Sequence, residues 1–370
     1  MRGKSWGIMA LAQADNASVY YAGGVQLLQR EDSTVILPAA LLLIMGTGVP
    51  ANLLLLVVLV HGFRSGLVSE ARALLANLCV TDLLLLTACV PVRAVTYHAR
   101  TWTLGTLACR TAEWFQQGCV VAKALTLAAA SHAQGDPARR QAPGPRGGRA
   151  ACKLLLAWTL SLLLPVPELA FSELRMRGDL AVCVSEVPRT ALGFTSVFSK
   201  LLPLAAYVVP AVFACACCLR TIARSEPRTS ETAERQRRAL TLLALTAVQT
   251  LLLLPHWGSW AWAQHSSGGR SRPPAALLVF AQVCVYFGSA ASPALLLTAH
   301  ASLRDGLARV CGVAAKPATV PDARPEIRVT RVDEFGRSLP ELEHFWTARR
   351  DTLVAQDNDP LPWERVGERV

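Results

Sequence analysis

Asp82 and Lys123 each stand in the middle of a long apolar stretch. A lone charge there costs about 2.5–3.5 kcal/mol even on a lenient insertion scale. Around Lys123, the residues Glu113, Gln116, Gln117 and Thr126 fall near the same face of a helix with 3.6 residues per turn. Gln282, Tyr286, Ser289 and Ser292 recur in the same way farther along, at intervals of four, three and three. Side chains of these types can pair charges, exchange hydrogen bonds with a bound molecule, or rearrange inside a bundle. Asp82 and Lys123 have two readings: an ion pair that takes part in signalling, or one that only locks helices together. The sequence carries no GxSxG, HExxH or Walker motif and no carboxylate pair inside one apolar stretch. These residues therefore point to binding and rearrangement, and an enzyme, a cofactor or a metal centre is not expected.

The elements that position them follow from composition. The chain has 370 residues, 52% hydrophobic and 17% charged, against about 25% charged in an average soluble domain. Its apolar residues lie in seven blocks: Val35–Val60, Ala73–Tyr97, Cys109–Ala133, Ala151–Phe171, Phe194–Leu219, Arg238–Ala263 and Ala275–His300. A helix of about 20 apolar residues crosses a bilayer, and open strands cannot satisfy their backbone groups in lipid. The expected fold is an all-α membrane protein, a seven-transmembrane helix bundle over 35–300. The third block is the weakest, because it carries Glu113 and Lys123. An inverted-repeat transporter should show two similar halves, and no such repeat is present.

Short loops on one side hold 13 basic residues and those on the other hold seven, Arg93 among them. The positive-inside rule then puts the N-terminus, 1–34, outside and the C-terminus inside. Asn16-Ala17-Ser18 is a glycosylation sequon, useful only on an outside terminus. Met1–Ala14 faintly resembles a signal peptide, while the first span can itself direct insertion. Residues 301–312 form a short amphipathic stretch suited to the cytoplasmic surface. Cys311 at its end is either palmitoylated or a plain thiol. Beyond it, 313–370 reads as a disordered cytoplasmic tail, with 8 basic and 11 acidic residues after Lys316. Cys109 and Cys183 both face the oxidising side, where a bond between them would staple the intervening loop to the bundle. Trp257, Trp260 and Trp262 crowd the outer end of the sixth span, as an interfacial belt or as part of a pocket. His256 beside them is expected to be satisfied by a neighbour.

Several landmarks together resemble the rhodopsin-like (class A) G-protein-coupled receptors. They are Asn52; Leu78-Cys79-Val80-Thr81-Asp82; Trp102 and Gly105; Cys109 and Cys183; Trp158; Pro210; Pro255; and Ser292-Pro293. Leu163–Glu168, and in the tail Leu342–Trp346 and Gln356–Glu364, resemble an orphan receptor of the galanin-receptor-like branch. The resemblance implies a multi-pass plasma-membrane receptor with an extracellular ligand, a peptide among the options, and a heterotrimeric G protein as partner. By analogy, Gln116, His256, Trp260, Gln282 and Tyr286 line the ligand pocket. Gln116 stands where amine receptors carry an aspartate, which disfavours a biogenic amine. Lys123 stands where the family has a small polar residue completing a sodium site around Asp82, so its ammonium takes the place of the ion.

Three family motifs depart from pattern. Asp-Arg-Tyr falls on Ala133-Gln134-Gly135, Cys-Trp-x-Pro on Leu252-Leu253-Leu254-Pro255, and Asn-Pro-x-x-Tyr on Ser292-Pro293-Ala294-Leu295-Leu296. The expected function is an orphan, peptide-receptor-like receptor with eroded activation motifs that transduces weakly or constitutively. The alternative is a non-signalling protein of the same fold that binds a cytoplasmic partner through Phe345, Trp346 and Trp363 in its tail. The excess of basic residues outside the tail suits an anionic inner leaflet, and nothing points to nucleic acid.

Overall fold

In a computed structural model, the described residues are 19–21, 28–64, 70–135, 146–177, 180–225, 230–265, 273–299 and 301–310. The helices run as α1 (Leu37–Arg64), α2 (Glu70–Ala99), α3 (Gly105–Gly135), α4 (Gly148–Phe171), α5 (Gly193–Arg224), α6 (Ser230–His265), α7 (Ala275–Ala299) and α8 (Ala301–Val310). Among the described residues, α1, α2, α4, α5, α6 and α7 each contain a stretch long and apolar enough to cross a membrane. The third helix forms over 31 residues but does not reach that standard, for the reason visible in the sequence: Glu113 and Lys123 interrupt its apolar run. Most elements outrun the apolar blocks that announce them, and α6 begins at Ser230 rather than Arg238. Helical hydrogen bonding continues past the last residue that needs lipid.

Proline sets the local irregularities. Wide π turns occupy Asp32–Ile36, Leu85–Cys89 and Leu204–Val208, just ahead of Pro38, Pro91 and Pro210. A proline ring collides with the carbonyl four residues back and donates no hydrogen bond to it, and a widened turn relieves both problems. The freed carbonyl of Thr34 is met by His98 Nδ1 at 2.8 Å. At Leu164-Pro165 the ladder of α4 breaks into a turn before Val166–Phe171 completes the helix.

The helical bundle carries one small sheet outside it. After α4 the chain forms β2 (Ser172–Arg177) and β3 (Leu180–Glu186), an antiparallel hairpin with Leu174 opposite Cys183. The segment β1 (Val19–Tyr21) adds to its free edge, giving the order β1-β3-β2. Backbone outside the hydrocarbon is free to pair as strands, and β3 satisfies both of its edges this way.

Packing divides the bundle into three levels. One apolar cluster holds Leu86, Val90, Val121, Ala206, Trp257 and Tyr286, and a second holds Leu55, Leu74, Leu78, Leu127, Leu242 and Leu296. Between them, buried Asn52, Asp82, Lys123, Gln249, Ser289 and Ser292 form a polar layer. The helices approach closely at Gly48, where a β-carbon would lie 2.8 Å from both Ala290 Cβ and Leu86 Cδ1.

Candidate functional site

The polar layer is built from five helices. Asp82 is fully buried on α2, and Lys123 Nζ on α3 lies 2.6 Å from its Oδ1. The ammonium meets the carboxylate as a charge-to-charge contact and donates hydrogen bonds to Ser289 Oγ and Ser292 Oγ on α7, each at 3.3 Å. From α6, Gln249 Nε2 donates to Gly288 O (2.8 Å) and Ser292 Oγ (2.9 Å). From α1, Asn52 Nδ2 donates to Gly48 O (2.9 Å) and Ser289 O (3.1 Å). Neither charge could stay in this interior alone. Each makes the other tolerable, and the serines extend the arrangement to the helices on either side.

One to two turns toward the sheet, a second polar level begins. Arg93 on α2 forms an ion pair with Glu113 on α3. Gln116 Nε2 donates to Gln282 Oε1 at 2.8 Å, and Tyr286 Oη donates to Gln116 Oε1 at 2.6 Å. Gln117 Nε2 lies 3.0 Å from His256 Nε2. Above these bonds lies a cavity enclosing about 40 Å³. Glu113, Glu168, His256, Trp260 and Gln282 are among its walls, and Cys183–Ser185 of β3 cover it. The cover is fixed by the Cys109–Cys183 disulfide and by Trp102, whose backbone N–H donates to Ala181 O at 2.8 Å. Trp102 Nε1 also donates to Gly105 O at 2.8 Å, tying the loop before α3 to its first residue.

The residues singled out in the sequence are thus distributed unevenly. His256, Trp260 and Gln282 line the cavity. Gln116 and Tyr286 are buried and do not line it; they are bonded to each other and, through Gln116, to Gln282. His256 does find a neighbour, Gln117. An interfacial belt does not describe all three tryptophans: Trp257 and Trp260 are buried edge-to-face with ring centroids 5.9 Å apart, whereas Trp262 is 43% exposed. The expectation for Arg93 also needs correction, since it is a buried member of α2 rather than a loop charge. The cavity contributions of Arg93 and Glu168 escape a reading by hydropathy, because each sits near a block's end, where charge ordinarily means water. Glu113 and Gln117 were visible in the helical stripe.

Toward the other end, Gln134 is buried in the last turn of α3, where the resemblance would place an arginine. Leu253 is buried in the apolar cluster that also contains Trp257. Asn16, Cys311, Phe345, Trp346 and Trp363 lie outside the described residues, as do 315–370 as a whole.

Comparison with known proteins gives this architecture its class. The profile of the seven-transmembrane receptors of the rhodopsin family matches residues 51–296, and the chain belongs to that family: a multi-pass plasma-membrane receptor, not an enzyme. Among individual proteins, it is 29% identical to the G-protein coupled receptor 151 protein of Mus musculus, over 96% of this chain and 94% of the relative. The human G-protein coupled receptor 151 matches at the same identity and coverage. The KiSS-1 receptor of Rattus norvegicus is 30% identical over 64% of this chain and 65% of its own. These likenesses agree with an orphan receptor of G-protein-coupled type.

Proposed function

We propose that this receptor binds a peptide in the cavity beneath β3 and carries the signal through the polar layer with altered, weak or constitutive coupling. The observation that carries the reading is a polar-floored cavity, roofed by a disulfide-stapled hairpin, in a chain of the rhodopsin family. Similarity to proteins named KiSS-1 receptor and, over 42% of the chain, Galanin receptor 2b (Danio rerio) supports a peptide as ligand. In this reading the sheet end is extracellular, Asn16 carries a glycan, and Cys311 anchors the chain by palmitoylation where α8 ends. The lost arginine at Gln134, the leucine at Leu253 and the serine at Ser292 are what alter coupling.

A second reading rests on the same departures: the fold is kept, coupling is lost, and Phe345, Trp346 and Trp363 in the tail dock a cytoplasmic partner. Buried aromatics dominate interface energetics, which gives such a motif its means.

G-protein activation in cells, measured for the parent and for Gln134→Arg at matched surface expression, separates the two. The first reading expects basal or peptide-driven activity in the parent. A silent parent with an active Gln134→Arg would mean an intact bundle with coupling disabled. Silence in both would favour docking, to be checked by binding of a Ser338–Trp363 peptide to brain membrane extract with and without Trp346→Ala and Trp363→Ala.

A further inference from the structure

The cavity beneath β3 is unbalanced in charge. One guanidinium, Arg93, and two carboxylates, Glu113 and Glu168, line it. Arg93 and Glu113 are paired with each other. Among the described residues, no cation forms an ion pair with Glu168. Its backbone is held firmly: Glu168 N donates to Pro165 O at 2.9 Å, and Glu168 O accepts from Ser172 Oγ at 2.6 Å. The break at Pro165 thereby sets the side chain at the cavity wall, beside the Trp260 indole N–H and within electrostatic reach of Glu113.

An indole N–H offsets little of a full charge. A carboxylate turned into a cavity and only partly exposed, with a second one nearby, is favoured by a cation joining it. The two amides that line the cavity, Gln117 and Gln282, are already bonded to His256 and to Gln116 and bring no charge. The space of about 40 Å³ has room for a few waters or for the terminal group of a side chain.

We propose that Glu168 is a specificity-determining residue that receives a cationic terminal group of the ligand, a guanidinium or a primary ammonium, in the cavity between α3, α4, α6 and β3. The proposal rests on the ligand-binding reading above and adds the charge of what enters. A guanidinium fits a carboxylate with two parallel hydrogen bonds, and an ammonium with one.

The test uses the full chain, purified in detergent, and ligand-detected saturation-transfer NMR. The probes are N-acetyl-arginine methylamide, the lysine counterpart, and the uncharged isostere N-acetyl-citrulline methylamide. The arginine or the lysine probe should bind the parent about tenfold or more tighter than citrulline, the scale of one charge-assisted hydrogen bond. Glu168→Gln should erase the difference and Glu168→Asp should keep part of it. Equal binding of citrulline, absence of binding by both charged probes, or unchanged preference in Glu168→Gln overturns the proposal. The contrast between probes on the parent needs no variant to fold. The readout is independent of coupling: a receptor silent in cells that still prefers the cation loses the signalling reading and keeps this one. A receptor that signals but takes citrulline equally does the reverse.

Discussion

Lys123 is the residue on which most of the interior depends, because it neutralises Asp82 and bonds two serines of α7 at once. Removing one member of a buried ion pair leaves the other uncompensated, typically at about 3–5 kcal/mol. Lys123→Ala should therefore lower the thermal unfolding midpoint of the purified receptor sharply. If the ammonium occupies the place of a sodium ion, replacing sodium chloride with choline chloride should leave the parent's midpoint unchanged. Clear stabilisation of the parent by sodium would falsify the built-in cation. Asp82 and Lys123 were readable from the sequence because charge in mid-block has few innocent explanations. Arg93 and Glu168 were not, since a charge one or two turns from a block's end can reach water by its own length. Only the fold shows that both turn inward.

At the scale of elements, the helices were legible as hydropathy and their interruptions as proline, but not the distances between them. The approach of α1 to α7 turns on Gly48. Gly48→Ala would place a methyl 2.8 Å from Ala290 Cβ and 3.0 Å from its Cα. Backbone must then shift, at about 1–3 kcal/mol for an overpacked contact. Gly46→Ala, two residues away with nothing within 4 Å, is the matched control and should be neutral or slightly stabilising through helix propensity. Thermal unfolding of the two variants side by side measures the packing alone. The hairpin of β2 and β3 lay beyond sequence reasoning for a different reason. Its stretch is short and mixed in polarity, and it takes its register partly from the Cys109 bond, which joins residues 74 positions apart.

For the molecule as a whole, the disulfide is the tie between the roof of the cavity and the bundle. Closing a loop of this length stabilises by about 4 kcal/mol through the unfolded chain. Cys183→Ser should lose that stability, and a reductant should bring the parent down to the same midpoint while leaving Cys183→Ser unmoved. The polar layer has a consequence of another kind, for how the chain enters the bilayer during synthesis. Asp82 and Lys123 belong to successive helices, and among the described residues α3 is the one long helix without a stretch apolar enough, by composition, to cross a membrane. Offered singly to the translocon, each helix presents an uncompensated charge to lipid; offered together, they present a neutral pair. Insertion of α3 should accordingly depend on α2, whose Asp82 is already in place to meet Lys123 as it leaves the channel.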